Sequence, residues 1–284
     1  MTVLEAIRKT TEFFERKGLD SPRLQSELLL AHALSLPRMK LYLNFERALT
    51  SAEQDKFREL SRRRGTREPL QHIVGTVSFC GLELACSKAA LIPRPETELL
   101  AQMAWEHLQA LPEPAPNVLD IGTGTGCLPI AIAHRCLGAK CTAVDVSTDA
   151  LRLARSNAEY CGVAERIQFI ESDGFSALEP GLRFDLIVSN PPYIAASEIK
   201  TLQPEVRDFD PLLALDGGPD GLVFYRRLAA EAGEFLNPNA PLMMEFGDGQ
   251  APALREMFSR QNWVVEAVRQ DYSQRDRFLI ARRP

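Results

Sequence analysis

The sequence predicts an α/β chain: a mostly parallel seven-stranded sheet with helices on both faces, preceded by a small helical domain and a β-hairpin linker. Three observations predict it. Residues 1 to about 74 carry their apolar side chains at helical spacing. From residue 118 onward, short apolar runs rich in β-branched residues alternate with helical patterns. The first of those runs, Val118–Ile121, opens into the glycine-rich turn Gly122-Thr123-Gly124-Thr125-Gly126. The expected boundaries are 1–74 for a helical substrate-recognition domain, 75–92 for the hairpin linker and 93–284 for the catalytic domain.

In the first segment, Leu4, Ile7, Thr11 and Phe14 fall on one helical face, and Gly18 ends that helix. Asp20-Ser21-Pro22 reads as a cap followed by a proline at the first helical position, opening a helix with Leu24, Leu28 and Ala31 on one face. Thr50 and Glu53 have capping-box spacing ahead of Phe57 and Leu60. Arg58, Arg62, Arg63, Arg64 and Arg67 then cluster, as a solvated face or as a docking patch for an acidic or RNA-bearing partner. His32, on a Leu/Ala-rich helix, reads as a packing or surface residue.

Val77 to Cys86 reads as two short strands turning at Cys80-Gly81. In Ile92-Pro93-Arg94-Pro95-Glu96-Thr97-Glu98, two prolines stiffen the turn around an arginine. A helix starting at Glu96 or Thr97 and running through Trp105 and Leu108 follows, and the turn is placed to wall an active site. Pro112–Pro116 is a break. Strands are expected at 118–121, 140–144, 166–170, 184–188, 241–246, 263–269 and 277–282, with helices near 126–137, 148–161, 221–236 and 250–260. Only a short turn separates the last two strands, so one enters antiparallel.

Composition narrows the function. The 284 residues carry a net charge of −5, which argues against broad nucleic-acid binding. No apolar run approaches the ~18 residues of a membrane span, and the amino terminus has no secretory pattern, so a cytoplasmic protein is expected. The six cysteines form no C-x-x-C pair, and with four scattered histidines they offer no metal-ligand spacing; reduced thiols and no metal are expected.

The strand–turn–helix at 118–126 brings backbone close to a ligand. Asp145 ends the next strand, 19 residues after Gly126, where a carboxylate can accept from both ribose hydroxyls. The spacing is G-x-G-x-G, not the G-x-G-x-x-G of a dinucleotide site. Asp120 before the turn would repel a pyrophosphate but suits the ammonium of a methionyl group, so S-adenosylmethionine is preferred to NAD. Asp173, with Gly174 beside it, is placed to accept from an adenine amino group. Each acid also has a structural reading, Asp145 as a helix cap and Asp173 as a turn former.

Asn190-Pro191-Pro192-Tyr193 follows the strand at 184–188. Two prolines and the extended geometry imposed on Asn190 make a stiff lip. The Asn190 side-chain oxygen and the Pro191 carbonyl can take both hydrogens of a planar NH2, and the Tyr193 ring can face a sulfonium cation. The plain alternative is an Asn-Pro turn.

With these motifs in order, the chain resembles the protein-(glutamine-N5) methyltransferases that modify peptide chain release factors, the HemK-like family of class I S-adenosylmethionine-dependent methyltransferases. The resemblance spans essentially the whole chain, through Ser21-Pro22-Arg23-Leu24, Arg67-Glu68-Pro69-Leu70-Gln71, Pro93-Arg94-Pro95-Glu96-Thr97-Glu98, Asn190–Tyr193, Pro211–Leu222 and Asp271–Arg277. It implies a Rossmann-like catalytic domain and methylation of the glutamine in the release factor's Gly-Gly-Gln loop. It also implies that Asn190 and Pro191 grip the substrate, that Gly122–Gly126, Asp145, Asp173, Gly174 and Asn190 lie at the cofactor, and that the enzyme is a cytoplasmic monomer without direct nucleic-acid binding. Asn-Pro-Pro-Tyr is shared with DNA and RNA base methyltransferases, whereas the Pro-Arg-Pro-Glu-Thr-Glu segment is more discriminating. Three positions depart from the family: Pro129 inside a helix, Gly174 where a larger apolar residue is usual, with Phe175 as a substitute adenine platform, and Gln274 in place of a glycine. The alternatives are methylation of nucleic-acid bases or of a ribosomal-protein glutamine, and a nucleoside-binding factor without catalysis.

Overall fold

In the computed structural model, residues 1–112 and 114–284 are described, so the centre of the expected 112–116 break, Glu113, lies outside the described residues. The chain divides into two compact units, one of Met1–Thr76 with Gln203–Phe209, the other of Val77–Leu202 with Asp210–Pro284.

The first unit is helical: α1 (Val3–Arg16), α2 (Pro22–Leu34), α3 (Arg38–Tyr42), α4 (Ser51–Gly65) and α5 (Leu70–Val74). Capping boxes open α1 at Thr2/Glu5 and α4 at Thr50/Glu53, the second as its spacing predicts. The start of α2 differs from expectation. Ser21 takes a left-handed conformation and makes no side-chain cap, leaving Pro22 to fix the first turn. The expected apolar face of α2 is also rotated: Leu24 is exposed, and Leu29, Leu30 and Ala33 enter the core beside Ala31, with Phe14, Leu41 and Phe57.

The arginine cluster is neutralised within this unit. Arg58 pairs with Asp55, Arg62 with Glu59 and Arg63 with Glu68, while Arg64 and Arg67 both grip Glu205 of the 203–209 segment. The buried Arg64 holds Glu205 at 2.8 Å. A set of arginines so paired presents a mixed surface, not a bare cationic patch.

The hairpin β1 (Thr76–Phe79) and β2 (Leu82–Ala85) turns at Cys80-Gly81 as expected. Next come α6 (Thr97–Gln109), β3 (Asn117–Ile121), α7 (Cys127–Arg135), β4 (Lys140–Asp145), α8 (Thr148–Tyr160), β5 (Ile167–Glu171) and β6 (Leu186–Ser189). The four-residue α9 (Pro204–Arg207) belongs to the 203–209 segment; α10 (Val223–Glu231), β7 (Pro241–Glu245), α11 (Ala251–Arg260), β8 (Val264–Gln270) and β9 (Asp276–Arg282) complete the chain. The helix expected over 221–236 is α10 extended by a single 3₁₀ turn.

All seven strands join one sheet in the order β5-β4-β3-β6-β7-β9-β8. Five are parallel, and β9 inserts antiparallel between β7 and β8, as the short final turn required. Parallel strands buried on both faces read as continuous apolar runs, and β6 and β7 are buried at every position. One core layer gathers α6, α7 and the hairpin; the other gathers α10 and α11 with the opposite sheet face. Pro129 falls in the first turn of α7, where no helical hydrogen bond is lost. Gln274 adopts φ 61°, a conformation that glycine takes without strain.

This order fixes the site. From β3 the chain builds outward through β4 and β5, then returns to place β6 on the other side of β3. Ligands bind outside the carboxyl ends of the strands at such a reversal. Ile121 and Ser189 are register partners, and the Ser189 hydroxyl donates to the Ile121 carbonyl at 2.7 Å. The glycine turn and Asn190 therefore leave the sheet side by side.

Candidate active site

A cavity of about 290 Å³ opens at this reversal. Gly122–Thr125 and Asp145 line one side, Asp173 and Gly174 another, and Asn190 with Pro192 a third. Ala90, Pro93, Arg94 and Thr97 close it, so the proline-stiffened turn does wall the cavity. Its pose is held by Asp210, which pairs with Arg94 and is also approached by the Ile92 N–H.

The glycine turn is anchored from β4. The N–H groups of Gly122 and Thr123 donate to the Val144 carbonyl, at 2.9 and 3.0 Å. Gly126 starts α7 with φ +79°, and a side chain there would meet Ala154 and Ile130 at 3.0–3.1 Å. Only glycine combines that backbone with that proximity.

Asp145 accepts from the Gly124 N–H at 2.8 Å and from the Ser147 N–H at 2.9 Å, one bond to each oxygen. The helix cap itself comes from Ser147, whose hydroxyl accepts from the Ala150 N–H. Each carboxylate oxygen has further lone pairs, so Asp145 keeps capacity for hydroxyl donors from the cavity.

Asp173 is exposed and pairs with Arg227, which also donates to the Asp173 carbonyl. The Arg227 guanidinium lies over Gly174, 2.7 Å from where a Cβ would stand. Phe175 is not a platform at the cavity. It is 4% exposed and stacks on Phe235, ring centres 5.1 Å apart, inside the core.

Asp120 is fully buried, and neither of its oxygens has a partner. The hydroxyls of Thr123 and Thr125 above it are likewise unpaired. Burial pushes the Asp120 carboxyl up to about 7. An orphaned acid with two orphaned hydroxyls under a glycine turn is a costly arrangement that a cationic ligand group would relieve.

Asn190 faces the cavity with a defined end. Its Nδ2 donates to Thr97 Oγ1 at 3.0 Å, and Thr97 Oγ1 donates to Glu245 Oε2 at 2.7 Å. The Asn190 Oδ1 is left for a ligand. Pro191 is buried and its carbonyl accepts no hydrogen bond from the described residues. Tyr193 is not at the cavity wall. Its ring packs against the second core layer, its carbonyl accepts from Gln250 at 3.0 Å, and burial pushes its hydroxyl up to about 12. Glu245 and Arg227 were not singled out in the sequence, and Thr97 was named only as a helix start within the 93–98 segment. Glu245 did carry a signal, since like Asp145 it is an acid closing a parallel strand.

Family comparisons agree with this geometry. Residues 5–75 match the family described as "PrmC N-terminal domain", and residues 97–207 match "Methyltransferase small domain". A "Release factor glutamine methyltransferase" from Chlorobaculum tepidum is 44% identical over 98% of this chain and 96% of its own. The chain belongs to the release factor glutamine methyltransferase family. A second member, from Geobacter sulfurreducens, is 43% identical over 99% of this chain and 96% of its own. Among solved structures, the hMettl16 catalytic domain in complex with MAT2A 3'UTR hairpin 6 superposes with a TM-score of 0.58 at 17% identity, covering 79% of this chain and 82% of that one. That likeness shows the fold alone: the Rossmann-like sheet of a class I methyltransferase.

The residues present fit S-adenosylmethionine, the methyl donor of this family. The unpaired hydroxyls of Thr123 and Thr125 belong to the cavity lining, with the fully buried Asp120 near the end of the strand just before them, which suits an ammonium; Asp145 has spare acceptors for a ribose, and the intervening walls are largely apolar. Among the described residues no helix is long and apolar enough to cross a membrane.

Proposed function

We propose that this chain methylates the side-chain amide nitrogen of the glutamine in the Gly-Gly-Gln loop of a peptide chain release factor. The observation that carries this reading is the oriented Asn190 amide: Nδ2 is bonded to Thr97, so Oδ1 is the end offered to the cavity beside the glycine turn. An acceptor on a stiff lip suits a donor NH2, and the name shared by relatives of 43–44% identity supports a glutamine carboxamide as that group.

A carboxamide nitrogen is a weak nucleophile because its lone pair is delocalised. In this reading Asn190 Oδ1 and the Pro191 carbonyl each hold one N–H, turning the lone pair toward the donor and favouring positive charge as it develops on nitrogen. The bound donor supplies a methyl on a sulfonium, whose sulfur leaves as a neutral thioether. As the N–C bond forms and the C–S bond breaks, nitrogen sheds one proton to water. The rigid Asn190–Pro192 lip and the Pro93–Arg94 wall position the amide and limit water. Tyr193 contributes by packing, holding the lip through Gln250 and Gly247.

Asp145 and the 122–126 turn hold the nucleoside, with Asp173 and Gly174 at the adenine end. Residues 1–74 serve as the substrate-recognition domain, 75–92 as a linker hairpin and 93–284 as the catalytic domain. The internally paired arginines favour a protein substrate over nucleic acid. The enzyme works as a cytoplasmic monomer.

The test is incubation with labelled S-adenosylmethionine and either an intact release factor or nucleic acid, followed by digestion. Label confined to the peptide containing Gly-Gly-Gln is expected. Label on bases, or on another residue of the release factor, overturns the proposal.

A further inference from the structure

We propose that Thr97 and Glu245 are positioning residues that fix which end of the Asn190 amide faces the cavity. The proposal rests on the glutamine-methylation reading for its kinetic consequence, but the geometry stands independently of it.

The two ends of an asparagine amide are similar in shape and opposite in chemistry. If the NH2 faced the cavity, it would meet the N–H donors of a substrate amide and repel them. Something must therefore choose the rotamer, and the choice is made from behind. Glu245 closes β7 with only 1% of its surface exposed, and Thr97 opens α6 with 2% exposed. An ionised carboxylate only accepts, so the Thr97 proton is committed to Glu245, at 2.7 Å. The Thr97 oxygen can then only accept from Asn190, and it does so from Nδ2 at 3.0 Å. A flipped amide would set two oxygens against each other at that distance, so direction is passed from the acid through the hydroxyl to the amide.

The surroundings hold this chain of donors. Tyr225 donates its hydroxyl to the Glu245 carbonyl at 2.9 Å, fixing the strand end. The charged and titratable groups facing Glu245 are Arg277, Arg94, Glu96, Tyr193 and Tyr225. Arg277 and Arg94 favour its ionised form and Glu96 opposes it, while burial dominates and pushes the carboxyl up to about 7. Protonated Glu245 could donate to Thr97. The Thr97 proton would then be free for Asn190 Oδ1, and the amide could turn its NH2 to the cavity. Acid thus removes the direction without removing any side chain.

The experiment compares Thr97→Val, Thr97→Ser and Glu245→Gln with the unaltered chain. Thr97→Val keeps the shape and deletes the hydroxyl. It should lower kcat roughly 10–100-fold, the loss of one charge-linked hydrogen bond, while the Kd for S-adenosylmethionine stays within about two-fold. Thr97→Ser should restore kcat to within about three-fold. At saturating substrates, kcat of the unaltered chain should decline as pH drops below about 7, and Glu245→Gln should flatten that limb. Independently of turnover, the Asn190 side-chain NH2 resonances should be protected from hydrogen exchange in the unaltered chain and in Thr97→Ser, and lose that protection in Thr97→Val. Unchanged kcat and protection in Thr97→Val, equal losses in Val and Ser, or an acid limb that persists in Glu245→Gln would overturn the proposal. Absent release-factor methylation with intact NH2 protection would sink the functional reading and leave the relay standing.

Discussion

The Gly124 N–H donates to Asp145 Oδ2 at 2.8 Å, which latches the turn after β3 to the last residue of β4. The carboxylate that would hold the ribose therefore also sets the turn against which the nucleoside lies. Replacing Asp145 with Ala removes both functions at once. Calorimetry should show S-adenosylmethionine binding weakened about 100-fold or more, consistent with two charge-assisted hydrogen bonds. Asp145→Asn, which keeps one acceptor oxygen, should fall between.

Asn190 behaves in the opposite way. Its Oδ1 accepts no hydrogen bond among the described residues, and Asn190 borders the cavity without anchoring the glycine turn. Asn190→Ala should reduce methyl transfer by about 10³-fold or more while cofactor Kd changes less than about three-fold. Single-turnover kinetics with a release factor and calorimetry with cofactor alone separate the two effects.

Asp120 predicts a stability cost that a bound cationic group would offset. Its carboxyl is raised from the ordinary 3.8 to about 7, so between those values the folded chain holds a proton that the unfolded chain has released. Folding stability from this group is then greatest below about pH 4 and is lost as pH rises to about 7. Asp120→Asn should raise Tm in the absence of ligand, by more at pH 8 than at pH 5, with a difference on the order of a few kcal/mol. The same variant should bind S-adenosylmethionine more weakly. Thermal melts at the two pH values, with and without cofactor, check both halves.

Two glycines with similar backbones should respond differently to alanine. Gly126 and Gly162 have φ of +79° and +70°, but a Cβ at Gly126 meets Ala154 and Ile130, whereas at Gly162 nothing lies within 4 Å. Gly162→Ala should cost about 1 kcal/mol of left-handed strain. Gly126→Ala should cost about 2–4 kcal/mol, because overpacking adds to the strain. Urea denaturation of both variants measures the difference.

Periodic patterns made most of this fold legible in the sequence. Parallel strands buried on both faces, such as Leu186–Ser189 and Pro241–Glu245, have no choice but an apolar run. The short link between the last two strands left only the antiparallel arrangement. Failures came where local chemistry was overruled. Ser21 had a cap's identity but sits in the left-handed region, and Leu24 had the right spacing but lies on the exposed side of α2. The stretch from Ile194 to Gly221 folds as short turns, 3₁₀ segments and the single-turn α9, with no period to read.

The cavity's front wall was legible for a similar reason: glycines, prolines and strand-end acids are dictated by local backbone. Its rear was not. Thr97 and Glu245 are 148 residues apart, and nothing local distinguishes Thr97 from an ordinary helix-starting residue. Phe175 was offered as an adenine surface because an aromatic beside a glycine fits one, but the apolar interior between β5 and α10 claimed its ring for Phe235. Arg227 took the place over Gly174 instead, again through a long-range contact.

The most direct measurement is a crystal structure with S-adenosylhomocysteine and a peptide containing Gly-Gly-Gln. The account predicts the glutamine carboxamide nitrogen at hydrogen-bond distance, about 2.9 Å, from both Asn190 Oδ1 and the Pro191 carbonyl, with Asn190 Nδ2 still on Thr97. A carboxamide bound away from Asn190, or one facing the Asn190 NH2, would contradict it.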